Sequence, residues 1–146
     1  MKVHSILVAV MTAALVAPAW AQQPAAAGSS AEAKAEAVFA ALAPLVGPHS
    51  GQLAAAGVQK VVARTGKGRR DIQILTRWGP AYIPWPKDVT PVTFEIYIAA
   101  ENRLDVTAEG YTEANKARYA AAFDAVLPQA VRAADAVRAQ ATRPKR

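Results

Sequence analysis

From Trp78 to Pro91 the chain reads W-G-P-A-Y-I-P-W-P-K-D-V-T-P, with four prolines and three aromatic residues in fourteen positions. Proline has no backbone donor and pushes the residue before it toward extended geometry, so this stretch cannot lie inside a sheet. It is expected to form a long, stiff connector that fixes Tyr82 and Trp85 relative to whatever flanks them. What flanks them is alternation of apolar and polar residues on both sides, the mark of half-buried strands.

Upstream, Val58–Thr65 and Arg70–Trp78 make a first hairpin. Ile72, Ile74, Thr76 and Trp78 share one face of its second strand. Gln59, Val61, Ala63 and Thr65 form the matching face of its first strand. Bringing the two faces together requires an even loop, met by residues 66–69 (G-K-G-R), which sets Ala63 opposite Ile72 and Arg64 opposite Asp71. The Gly-Lys-Gly of that loop lacks the spacing, the Ser or Thr, and the following helix of a phosphate-binding loop. Downstream, Val92–Ala100 and Leu104–Gly110 make a second hairpin. Phe94, Ile96, Ile98, Leu104, Val106 and Ala108 lie on its apolar face, and an odd loop is needed, most simply residues 101–103. That register puts Tyr97 opposite Thr107 and Glu95 opposite Glu109.

Helical periodicity brackets the two hairpins. Val38, Phe39, Leu42, Leu45 and Val46 predict a helix over 31–46, kinked at Pro44 and ended by Gly47-Pro48. Residues 47–57 then read as a loop holding His49, taken as a solvated side chain. A second helix is predicted over 113–140, with Thr112 as its cap, Pro128 as a kink, and a stripe that includes Tyr119, Phe123, Val126, Leu127, Ala130 and Ala134. The predicted architecture is α+β: a four-stranded antiparallel sheet, two hairpins in a meander joined by the Pro/aromatic loop. One face is covered by an N-terminal and a C-terminal helix.

The first 21 residues read as an export signal. Lys2 and His4 precede an uncharged run from Ile6 to Ala17, Pro18 breaks it, and Ala19-Trp20-Ala21 offers a cleavage site. The run is 12 residues against the ~20 that a spanning helix needs. Residues 22–30 are then a tether, 31–140 a single domain, and 141–146 a basic tail. With no cysteine in the sequence, the fold rests on its apolar core alone. Lys2 is the only charged residue lost with the signal, so the formal net charge falls from +6 to +5, a mild preference for acidic partners.

Three places could carry function. The uncovered sheet face is expected to display Arg77, Glu95, Tyr97 and Glu109, together with Lys60, Arg64, Gln73, Leu75, Asp105 and Thr107. The connector offers Tyr82 and Trp85 as rigid aromatic anchors for a protein or a sugar ring. The hairpin tip offers Lys67, Arg69 and Arg70 as weak contacts for anionic material, without the interleaved aromatics of a nucleic-acid platform. A Glu95–Glu109 carboxylate pair could serve hydrolysis if a cleft held it. No cofactor, metal site or catalytic residue is assigned. The leading reading is an exported, non-catalytic module that binds an envelope or extracellular protein through residues 78–91 and the adjacent face, an enzyme inhibitor being one version. The alternatives are a small-ligand pocket between sheet and helices, lined by Phe39, Leu42, Ile96, Phe123 and Leu127, and a carboxylate-dependent hydrolase. The sheet face could also form a homodimer, and the protein is placed in a bacterial periplasm or outside the cell.

Overall fold

The computed structural model describes residues 28–66, 68–98 and 103–145. The expected signal, most of the expected tether and Lys67 lie outside the described residues, as do the side chains of Arg69 and Arg70. The elements follow in the order α1 (Gly28–Ala55), β1 (Val58–Gly66), β2 (Arg69–Thr76), β3 (Gly79–Pro84), β4 (Thr93–Ile98), β5 (Leu104–Glu109), a 3-10 turn (Glu113–Asn115) and α2 (Lys116–Ala141). All strands are antiparallel, and they lie side by side as β3-β2-β1-β4-β5. The chain is thus α+β with two helices against one sheet face, as expected, but the sheet has five strands rather than four.

The first helix is longer than the sequence suggests and runs through Pro44, Gly47 and Pro48 without a break. Each proline removes one intrahelical hydrogen bond, to the carbonyl four residues earlier. Against that, Leu42, Val46 and Leu53 recur at four- and seven-residue spacing and are all fully buried. Burying one such side chain is worth roughly 1.5–3 kcal/mol, comparable with what a proline loses. Gly57 ends the helix region with φ +78°, its N–H donating to the Ala54 carbonyl at 3.0 Å. His49 is therefore a helix residue and not a loop residue; its Nε2 lies 3.2 Å from Asp124 Oδ1 on α2.

The β1–β2 register is the expected one, with Ala63 opposite Ile72 and Arg64 opposite Asp71. The strands close further toward the tip, pairing Gly66 with Arg69, so that the loop shrinks to two residues. Gly68 there has φ +80°, the left-handed geometry such turns require. At the far end the register slips between Val58 and Lys60. That irregularity turns Val58 inward and Gln59 outward, correcting the expected inward Gln59.

The larger correction concerns the proline stretch. Its first half is a strand, joined to β2 by a two-residue turn at Arg77-Trp78. Ala81 and Ile83 pair with Ile74 and Ile72 on the helix side, while Pro80, Tyr82 and Pro84 share the other parity. Prolines are tolerated because β3 is an edge and needs donors on one side only. The buried Thr76 holds the turn: its Oγ1 donates to the Gly79 carbonyl at 2.7 Å and accepts from Trp78 N–H at 3.1 Å.

Because β3 occupies the free side of β2, β4 pairs with β1 and the predicted meander gives way to the 4-1-2-3 order of a Greek key. Only the second half of the proline stretch, from Trp85, is the connector, and it returns the chain across the end of the sheet. Trp85 is buried there: its indole N–H donates to the Val89 carbonyl at 2.8 Å and its ring meets Phe94 edge-on, centroids 6.5 Å apart.

The β4–β5 register differs from the expected one: Ile98 pairs with Leu104, an odd interval of five residues in the sequence rather than three. The extra two residues keep inside and outside unchanged while sliding every partner by two. Glu95 consequently faces Thr107, and Glu109 faces Thr93. The carboxylate pair is absent.

The entry to α2 is held by Asn115, whose Oδ1 accepts from Thr112 N–H at 2.8 Å and whose Nδ2 donates to the Gly110 carbonyl at 2.9 Å. The helix continues through Pro128, with Val126, Leu127, Ala130 and Ala134 buried on either side of it. In the helix layer α1 lies over β5 and α2 over β3.

Tyr119 hangs from the start of α2 into the core, donating its hydroxyl to the Glu109 carbonyl at 2.8 Å. Burial, and secondarily the Glu109 charge, hold the phenol pKa above its ordinary value. A phenol harder to ionise folded than unfolded stabilises the fold fully below the unfolded pKa, and that stability fades as pH rises through and beyond it. The urea midpoint is expected to fall above about pH 10. Tyr119→Phe should flatten part of that fall, at a loss of about 0.5–1.5 kcal/mol at neutral pH for the missing hydrogen bond. Parallel urea titrations of both proteins between neutral pH and pH 11 check it.

Candidate functional site

Among the described residues both helices pack on one side of the sheet, and no element covers the other side across all five strands. Strand parity alone decides what it shows. In register order from β3 to β5, one row across it reads Tyr82, Gln73, Val62, Glu95, Thr107, and the next reads Pro80, Leu75, Lys60, Tyr97, Asp105. Asp71 and Arg64 stand opposite one another in a further row.

Among the described residues four large hydrophobic side chains are exposed, and three belong to this face: Tyr82 at 65%, Tyr97 at 50% and Leu75 at 40%. The fourth, Phe39, is on α1. Tyr82 and Tyr97 stand three strands apart, roughly 14 Å across the sheet. Val62, nearly buried at the centre of the face, and Pro80 beside Leu75 join them into an apolar band. The polar groups sit among and around the band. Lys60 Nζ pairs with the Glu95 carboxylate, the diagonal neighbour on β4. Gln73 Nε2 and the Tyr82 hydroxyl are 3.4 Å apart.

Two shallow hollows mark the same face. One, of about 450 Å³, is bounded by Arg64, Glu95, Thr107 and Glu109 with backbone from β1 and β4. The other, of about 230 Å³, lies among Val62, Arg64, Asp71, Gln73 and Tyr82. Arg64 and Val62 border both, so the Arg64 side chain separates two recesses on one surface.

The expected site residues therefore divide. Tyr82, Glu95, Tyr97 and Glu109 are on the open face. Arg77 is in the β2–β3 turn, its N–H donating to the Gly57 carbonyl at 3.0 Å, and stands at the rim. Trp85 is only 8% exposed and belongs to the core, so it is no surface anchor. The indole closes the end of the sheet–helix layer, and its polar tip is already satisfied within the loop. Val62 and Pro80 were not singled out from the sequence; Val62 has the parity of Lys60 and Arg64, which was the available signal, whereas Pro80 was hidden by reading its strand as connector.

Leu42, Ile96, Phe123 and Leu127 are fully buried members of one packed core, and Phe39, the remaining side chain of the expected interior pocket, points outward. Among the described residues no three His, Asp or Glu side chains gather as a metal site, and no helix is long and apolar enough to cross a membrane. Comparison of the chain with protein-family models, with curated proteins and with solved structures found no match in any of the three.

Proposed function

We propose that the chain is an exported, non-catalytic binding module that takes a protein partner on its open sheet face, with Tyr82, Leu75 and Tyr97 as anchors. The observation that carries this reading is the gathering, among the described residues, of three of the four exposed large hydrophobics on the one sheet face that neither helix covers. Aromatic side chains with a polar tip bury large areas at little entropic loss, and such residues dominate the energetics of protein interfaces. Lys60–Glu95, Arg64 and Asp71 supply the polar surround that sets register, each exposed pair worth only a few tenths of a kcal/mol to about 1 kcal/mol. Export rests on the signal-like pattern of residues 1–21, and an enzyme inhibitor remains one form the module could take.

Tyr82→Ser and Tyr97→Ser are each expected to weaken capture of the partner by about tenfold or more, as loss of interface aromatics does. Thermal unfolding should be near unchanged, because both side chains are half or more exposed. The measurement is retention of secreted and envelope proteins by the immobilised chain, wild type against each variant. Retention equal in all three would sink the proposal.

A further inference from the structure

The two edges of the sheet are built differently. β3 carries Pro80 and Pro84, and an edge with two prolines of one parity, four residues apart, cannot accept another strand along its length. β5, Leu104–Glu109, has no proline and no register irregularity, and every one of its six residues is paired with β4. In an antiparallel ladder alternate residues turn their N–H and C=O away from the partner, so half of the β5 backbone groups point off the sheet.

We propose that a second copy of this chain occupies that edge, the two β5 strands pairing antiparallel about Val106 into one continuous sheet. Among the registers that keep most of β5 paired, the charges choose. Side chains that face each other across such a pair must share a sheet face, so only registers differing by two residues are available. Centred on Val106, the pairing sets Arg103 of each copy opposite Glu109 of the other, Asp105 opposite Thr107, and Leu104 opposite Ala108. A shift of two residues one way sets Asp105 opposite Glu109, and a shift the other way sets Asp105 opposite itself. Both alternatives bring carboxylates together. The residues directly opposite these groups on β4 carry no charge: Asp105 faces Tyr97 and Glu109 faces Thr93.

The arrangement is isologous, with a two-fold axis perpendicular to the sheet. It keeps both open faces on one side and both α1 helices, which lie over β5, on the other. The exposed Phe39 is carried by that helix. The partner-binding faces of two copies would then be contiguous, a bivalent surface.

The test is sedimentation of the purified chain over a range of concentrations, with circular dichroism to confirm folding. Wild type should show a reversible dimer. Arg103→Glu and Glu109→Arg, both at exposed positions, should each raise the dimer dissociation constant by about tenfold or more, since symmetry doubles every charge conflict. The double reversal restores opposite charges and should return the constant close to wild type. A chain that stays monomeric at all concentrations overturns the proposal. So does a dimer indifferent to the single reversals, or one that the double reversal leaves weakened.

Discussion

Phe123→Ala should lower the unfolding free energy by about 3–5 kcal/mol, a large share of the 5–15 kcal/mol that a domain of this size commands. Phe123 is fully buried at the centre of a line of aromatic rings that ties the ends of the molecule together. Its ring meets Phe94 of β4 at 4.9 Å and 89°, and Tyr119 one turn earlier on α2 at 6.3 Å. Phe94 passes the contact on to Trp85, and Tyr119 to Tyr111. The site cannot collapse around a smaller residue, because each neighbour is held independently. Phe94 is paired in the sheet, Trp85 is bonded to Val89, and Tyr119 is bonded to the Glu109 carbonyl. Urea unfolding followed by tryptophan fluorescence gives the number. Phe123→Leu, which refills part of the volume, should lose less; a loss below about 1 kcal/mol for alanine would show that the rings are not close-packed.

Period two and period 3.6 made most of this fold legible. Alternation in Val61–Ala63 and Ile72–Ile74 fixed both the inner face and the Arg64–Asp71 register, because the tight glycine loop left one even solution. The second hairpin was less determined. Parity demanded an odd loop and was satisfied equally by three or five residues, so the face assignments held while the Glu95–Glu109 pairing did not. Local signals misled where tertiary burial outweighed them. Gly47-Pro48 is a strong stop, yet Leu53 continues the stripe of Leu42 and Val46, and its burial carries the helix past the stop. Pro80 and Pro84 rightly excluded a sheet interior, but an edge strand satisfies the same physics, and the alternation of Ala81 and Ile83 with Tyr82 was present to be read.

The open face was legible for the same reason as the sheet: residues of one parity stand on one side whatever the strand order. Tyr82 and Trp85 show where that reasoning stops. Inside a strand, Tyr82 has a parity and points outward with Pro80 and Pro84. Trp85 follows the last strand residue, and no period says which way its indole turns. The Nε1–Val89 bond within the loop and the Phe94 contact decide it, and the contact depends on β4 lying next to β1, which local sequence does not encode.

Gly57→Ala should destabilise the fold by about 2–5 kcal/mol, although it adds a single methyl group. Two separate penalties meet at this residue. Its φ of +78° lies in the left-handed region, which costs a non-glycine residue about 1–2 kcal/mol. A Cβ would also stand 2.4 Å from Cζ3 and 2.8 Å from Cη2 of the Trp78 ring, well inside contact distance. The ring has little room to retreat. Trp78 N–H is bonded to Thr76 Oγ1, the next turn residue back, Arg77, donates to the Gly57 carbonyl itself, and the Arg138 guanidinium lies 5.5 Å from the indole centroid. Overpacking of such a seat adds about 1–3 kcal/mol. A double-mutant cycle separates the two terms. On a Trp78→Ala background the methyl group meets no ring, so Gly57→Ala should then lose only its backbone part, and the two substitutions should be non-additive by about 1–3 kcal/mol. Additivity in urea titrations would mean that the indole moves aside freely, and that the helix end, the β2–β3 turn and the last turns of α2 are not locked together at this point.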